Sequence, residues 1–257
     1  MARVRIRSGF RHRATSRVIP AAAWVGIAAA LATACATIRV PAPAPGTATL
    51  FGTVRLWPHE GLASAPVAGA YGDRALRDAE LVSYARPGFA VVTALGLPSP
   101  RGTVTLAVRG SRFGVRLEPR FAATGEGGTI ALRNEDERAH VISCPAHGLL
   151  TTLARGAATQ LTASIAGEVR CFVLDGADDG ADGGAEASVY VAAGPFAVIG
   201  ADGSWLLEGL TPPPAAPPSA AAPLTLHVWH PRFPPARQPV QIEVGSAKRV
   251  DVELQVR

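Results

Sequence analysis

Four side chains could bind a metal or form a covalent bond, and they lie close together in the sequence: His140, Cys144, His147 and Cys171. Imidazole nitrogens and thiolates are the donors that transition metals take, so one reading is a small metal centre. Cys144-Pro145-Ala146-His147 has chelating spacing on a turn. His140 and Cys144 do not: if 140–144 is extended, they stand about 13 Å apart and cannot share an ion. The other reading pairs Cys144 with Cys171 as a disulfide. The chain has only one other cysteine, Cys35. If it is used or removed elsewhere, an even pair is left, which favours a bridge in an oxidising compartment.

The amino terminus indicates such a compartment. Arg3, Arg5, Arg7, Arg11, Arg13 and Arg17 precede an uncharged run from Val18 to Ala34, and residues 1–34 contain no acid. A basic start, an apolar centre and small residues before a cleavage point are the pattern of a secretory signal. At 17 residues the uncharged run is short for a spanning helix, which needs about 20. Leu31-Ala32-Thr33-Ala34-Cys35 resembles a bacterial lipobox, which implies that Cys35 is the lipidated first residue of the mature chain. Ordinary cleavage near Ala34 or Ala36 and an uncleaved anchor are the alternatives. Ala36 lacks the acidic side chain associated with inner-membrane retention, which points to the outer membrane. Localisation is therefore expected to be the cell envelope, on its periplasmic face.

The charge balance changes meaning accordingly. The whole chain carries 25 basic and 20 acidic residues, a formal +5 that suggests an anionic partner. Without residues 1–34, 19 basic residues stand against 20 acidic ones. The remaining arginines are scattered among acids, so nucleic acid is excluded as a partner. No H-E-x-x-H, G-x-S-x-G or phosphate-binding glycine loop is present, and no enzymatic activity is expected.

The elements that must position these residues read as strands. Hydrophobic residues make up 48% and aromatics 6%, with 27 Gly and 22 Pro, too many breakers for a helical bundle. Residues 35–49 include Val40-Pro41-Ala42-Pro43-Ala44-Pro45-Gly46 and read as a Pro/Ala tether. Short β-type runs follow, among them Leu50–Leu56, Gly102–Val108 and Leu224–Trp229. Val250–Val256 alternates strictly and predicts a half-buried antiparallel strand. Only Asp73–Tyr84 supports a short helix. Two segments read as loops, the acidic, Gly-rich 175–186 and the Pro/Ala-rich 212–223.

Two stretches together carry a family resemblance. Asn134-Glu135-Asp136-Glu137-Arg138-Ala139-His140-Val141 resembles the N-x-D-x-x-x-H segment of plastocyanin-like cupredoxins, in which the histidine binds copper. Gly167-Glu168-Val169-Arg170-Cys171 resembles the strand that delivers the copper-binding cysteine. Phe196–Leu207 and Leu226–Pro231 resemble the tail of an exported bacterial family labelled methylamine-utilisation-like. That family joins a plastocyanin-like domain to a non-catalytic carboxypeptidase-regulatory-like sandwich. Gly52-Thr53-Val54, Gly61 and Ala65–Ala70 match the front of the latter.

The resemblance implies an all-β fold: a cupredoxin-like Greek-key sandwich at 99–195, inserted in or packed beside a transthyretin/Ig-like sandwich made from 50–98 and 196–257. In such a family the ligand loop reads C-x-x-H-x-x-M. Here it would run Cys171-Phe172-Val173-Leu174-Asp175-Gly176-Ala177, with Leu174 for the histidine and Ala177 for the methionine. The only Met is Met1. Two ligands of four do not hold a blue-copper ion, so the expected cofactor is none. A cupredoxin would also bring the strands of Cys144 and Cys171 together near one end, as a disulfide requires. The alternative is a copper-binding or electron-transfer protein with a rearranged site of His140, His147 and Cys171.

Two further patterns read as structural. Asp175, Asp179, Gly180 and Glu186 match positions 1, 5, 6 and 12 of a calcium loop, but Ala177 occupies position 3 and no helix flanks it. His227 and His230 point to opposite faces of a strand, and His227 shares its face with Trp229. The expected function is that of a lipid-anchored binding or structural module, with the membrane and an envelope protein or polysaccharide as partners.

Overall fold

Breaker-rich β segments of this kind must bury one face of each sheet against another sheet, and the computed structural model resolves them into two such pairs. It describes residues 40–57, 87–111, 114–175, 185–212 and 222–255. Residues 1–34, Cys35, the front motifs at Gly61 and Ala65–Ala70, the Asp73–Tyr84 segment and most of both low-complexity loops lie outside the described residues.

In chain order the strands are β1 (Ala48–Trp57), β2 (Val91–Leu95), β3 (Thr103–Ser111), β4 (Gly114–Glu118), β5 (Phe121–Gly125) and β6 (Thr129–Asn134). Then follow β7 (His140–Cys144), a 3-10 turn (Pro145–His147), β8 (Leu149–Leu153), β9 (Ala158–Thr162), β10 (Gly167–Val173) and β11 (Glu186–Ala192). The chain closes with β12 (Phe196–Val198), β13 (Ser204–Leu210), β14 (Ala222–His230), β15 (Phe233–Ile242), β16 (Ala247–Arg249) and β17 (Val252–Gln255). The fold is all-β.

Strands β3 to β11 make one sandwich. One sheet has the order β4-β3-β6-β9 and the other β5-β11-β10-β7-β8, so the chain crosses between layers repeatedly. Leu106, Ile130, Leu132, Ile142 and Val189 fill the space between them. The outer segments make the other sandwich. Its sheets run β13-β1-β16, with β17 also on β1, and β12-β2-β14-β15, around Leu50, Val54, Trp205, Leu226 and Ile242.

Two expectations are corrected here. The C-terminal strand is half-buried, with Val252 and Leu254 inside and Glu253 and Gln255 outside, but it pairs parallel to β1, not antiparallel. Alternation fixes which face is buried and carries no information on direction. β16 also lies parallel to β1, and Gly52 permits the crossing between the two, because a Cβ there would overlap the Val250 carbonyl. The tether also ends sooner than its composition implied, since Ala48 and Thr49 are already buried in β1.

The sandwiches meet through a small aromatic cluster. Tyr190 of β11 stacks on Trp229 of β14, with centroids 4.9 Å apart, and its hydroxyl lies 2.8 Å from His227 Nδ1. Phe89, Val91, Phe121, Ala123, Ala192 and Phe196 complete the junction. His227 and Trp229 face this side together, as a period of two requires. His230 is buried past a register shift in β14, donating from Nε2 to the Pro87 carbonyl and accepting at Nδ1 from the Arg232 N–H.

Candidate functional site

Register decides which side chains of β7 and β10 can meet. Phe172 lies opposite Ser143 and Val173 opposite Ile142. The same antiparallel count puts Cys171 opposite Cys144 and Asp175 opposite His140. Cys144 and Cys171 are both fully buried and joined by a disulfide, with S–S 2.03 Å and Cα–Cα 4.3 Å. That Cα spacing is typical of a directly opposed pair that exchanges no backbone hydrogen bonds. The bridge closes a separation of 27 residues, which in the chain-entropy account stabilises the fold by about 3.5 kcal/mol.

His140 therefore faces Asp175 rather than a thiol. Even spacing keeps His140 and Cys144 on the same face of β7, but at opposite ends of the strand, about 13 Å apart. The alternative metal set of His140, His147 and Cys171 does not assemble. Cys171 is spent in the disulfide, and His147 lies beyond the far end of β7, in the turn after Cys144. Its Nε2 is buried without a hydrogen-bond partner. No group of three His, Cys, Asp or Glu side chains that could hold a metal ion occurs among the described residues.

A closed polar pin stands at His140, the position that the family resemblance matches to a copper-binding histidine. The imidazole is 2% exposed, with Nε2 2.7 Å from Asp136 Oδ2. A carboxylate can only accept, so Nε2 carries the proton. On the other side Nδ1 stands 3.4 Å from Asp175 Oδ1, a longer and weaker contact. The same Asp175 oxygen accepts the Val141 N–H at 3.0 Å. The hydrogen bond from His140, helped by the Glu137 N–H, holds the Asp136 carboxyl below the usual carboxylate range. The two carboxylates lie on opposite sides of the ring and do not converge on a common point.

Asp136 is held in place by its surroundings. Fully buried Asn134 donates through Nδ2 to the Arg138 and Leu153 carbonyls and accepts the Asp136 N–H. Gly110 of β3 leaves room for the carboxylate, because a Cβ there would overlap it. The charge-dense stretch 134–138 is thus a turn fastened by its first residue.

Sequence reasoning found His140 and missed both of its partners. Asp136 stands inside the quoted motif, and Asp175 reads from the sequence as a residue of the 171–177 loop and the first position of a calcium loop. Residues 176–184 of that loop lie outside the described residues. The blue-copper ligand set does not fit: the position opposite His140 is a carboxylate, and both ring nitrogens face protein oxygens.

No family model matches the chain, and no curated protein matches it. Among solved structures it is similar to a copper-containing nitrite reductase from Thermus scotoductus SA-01, at 21% identity and TM-score 0.29, over 36% of this chain and 28% of that one. It is also similar to a methionine-to-alanine variant of amicyanin in its Cu(I) form, at 14% identity and TM-score 0.27, over 39% of this chain and 97% of that one. A multicopper oxidase matches at 13% identity and TM-score 0.24, over 35% of this chain and 41% of that one. The chain thus spans less than half the length of the two larger enzymes.

Proposed function

We propose that this chain is an exported envelope lipoprotein, anchored through Cys35, whose inserted sandwich is cupredoxin-like but carries no copper. It acts without catalysis, as a binding or structural module that holds two sandwiches off a membrane surface. The observation that carries this reading is the register of β7 on β10. It puts Asp175 opposite His140 and commits Cys171 to Cys144. The cysteine that the resemblance matches to a copper ligand is bonded to Cys144, and the histidine is used to fasten the 134–138 turn and the end of β10. In this reading the outer sandwich is the carboxypeptidase-regulatory-like partner, which implies no peptidase activity. The arginine-rich segment serves export and contacts no anionic ligand.

The test is to express the full chain in a bacterial host and extract it from membranes. Copper content and the visible spectrum are then measured after dialysis against Cu(II). The expected outcome is no stoichiometric copper and no intense visible band. A tightly held equivalent with such a band would overturn the copper-free reading. The anchor is tested separately by Cys35→Ser, which should abolish the acyl mass and release the chain from the membrane fraction.

A further inference from the structure

Every residue of β4, from Gly114 to Glu118, lines a cleft of about 950 Å³. Side chains of a strand alternate between its two faces, so a cleft lined by consecutive residues runs along the edge of the strand. Ala185 and Glu186, where β11 of the facing sheet begins, line the same space. β4 is the outer strand of its sheet and pairs with β3 alone among the described residues.

The backbone of β4 faces the cleft at defined positions. The Val108 carbonyl accepts the Glu135 N–H, so Val108 faces β6 and Arg109 faces β4. Arg109 lies opposite Arg116, so Arg116 turns its N–H and C=O toward β3. By alternation Val115 and Leu117 direct theirs out of the sheet. These two sets of groups stand about 7 Å apart, a repeat that another extended backbone matches.

The charges on the outer face select what that backbone carries. Arg116 and Arg109 are directly opposed, a like-charged pair. Arg109 is balanced, donating to Glu135 at 2.9 Å and to Glu118 at 3.3 Å. Glu186, the third acid lining the cleft, lies 3.5 Å from Arg170. Arg116 is exposed and has no ion pair among the described residues. A second copy of β4 is unsuited to this edge, because antiparallel pairing of Val115 with Leu117 would set Arg116 against Arg116.

We propose that the β4 edge is the docking site for an extended acidic peptide, which adds antiparallel to β4, the more stable ladder per residue. Main-chain bonds to Val115 and Leu117 supply affinity, and alternate side chains supply specificity. The residue opposite Arg116 points to the outer face and is the acid. Its two neighbours point inward with Val115 and Leu117 and are apolar, so the pattern recognised is apolar-acidic-apolar. The inference rests on the reading of this chain as a binding module and names the class of its partner.

The test uses the full chain extracted from bacterial membranes and the fluorescence anisotropy of a labelled heptapeptide with valine, glutamate and valine at its centre. Saturable binding is expected. Arg116→Glu, at an exposed position, should weaken it about tenfold or more without moving the thermal transition, and should prefer the valine-lysine-valine peptide. Methylating both valine amide nitrogens should abolish binding, because those N–H groups face β4, whereas methylating the glutamate nitrogen should not. The proposal fails if the folded chain does not bind the peptide, if Arg116→Glu binds it equally, or if the valine-methylated peptide binds as well. Copper is measured on the same sample. Copper uptake with peptide binding intact overturns the copper-free reading alone, and absent peptide binding without copper overturns this inference alone.

Discussion

His140 is buried and His227 half-buried, and the two are built on opposite principles. His140 is enclosed by carboxylates, with Asp136 at 2.7 Å and Asp175 at 3.4 Å. His227 faces a neutral phenol at the junction, and Arg237 lies opposite it across the sheet. Burial, with the nearby Arg237 charge, pushes the His227 pKa below its ordinary value. Burial does the same to His230 and outweighs the opposing effect of its bond to the Pro87 carbonyl. Among oxygens that only accept, an imidazole works as a donor that fastens a turn. Against a Tyr hydroxyl it works as a hydrogen-bond partner that joins two sandwiches. The residue type is the same, and the surrounding charge decides its use.

The sharpest way to break the comparison is His140→Ala. It would leave Asp136, in its mostly enclosed pocket, facing no donor from β7, and should destabilise the inserted sandwich by about 3 kcal/mol. Chemical denaturation with intact disulfide would measure it, and His140→Gln should recover part of the loss by donating one hydrogen bond. An unchanged midpoint would mean that the pin contributes nothing. A smaller effect is expected at the other histidine. Tyr190→Phe keeps the stacking on Trp229 but leaves His227 Nδ1 without its hydroxyl partner, at about 1–2 kcal/mol. The Trp229 emission should report it, while the His140 side remains unaffected.

Acid should separate the two regions with the smallest perturbation. His227 and His230 have folded pKa values below the unfolded one. Their contribution is complete above the ordinary histidine pKa and is lost as pH falls from about 6.5 through the depressed values. Asp136 is also depressed, but relative to a carboxylate, so its contribution persists until pH falls below about 4. Titration monitored by Trp fluorescence should show the junction weakening first. A single transition in the carboxylate range would remove the distinction.

Much of this was legible in the letters, and the misses have definite causes. Glycine and proline spacing marks the strands, and the period of two put His227 with Trp229 and separated it from His230. The letters offered Cys171 two uses, as a metal ligand or as a disulfide partner, and a string of letters contains no cross-strand register to say that Cys144 stands opposite it and Asp175 opposite His140. The same limit hid the parallel direction of β17. Asp136 is visible in the motif, but nothing in its neighbourhood announces that Gly110, far away in sequence, opens a space for it.

The sequence by itself determined the alternation of buried and exposed positions, the places where strands must end, and the even pair of cysteines left within the folded part. Those are local properties, fixed by side-chain period and by the conformational limits of Gly and Pro. Only the tertiary structure decided which strands are neighbours and in what register. From that followed the bridge between Cys144 and Cys171, the two carboxylates on His140, the clamp on Tyr190 and the open edge at β4. Pairing is chosen by the summed burial of two whole sheets, a quantity to which every strand contributes and which no single segment carries.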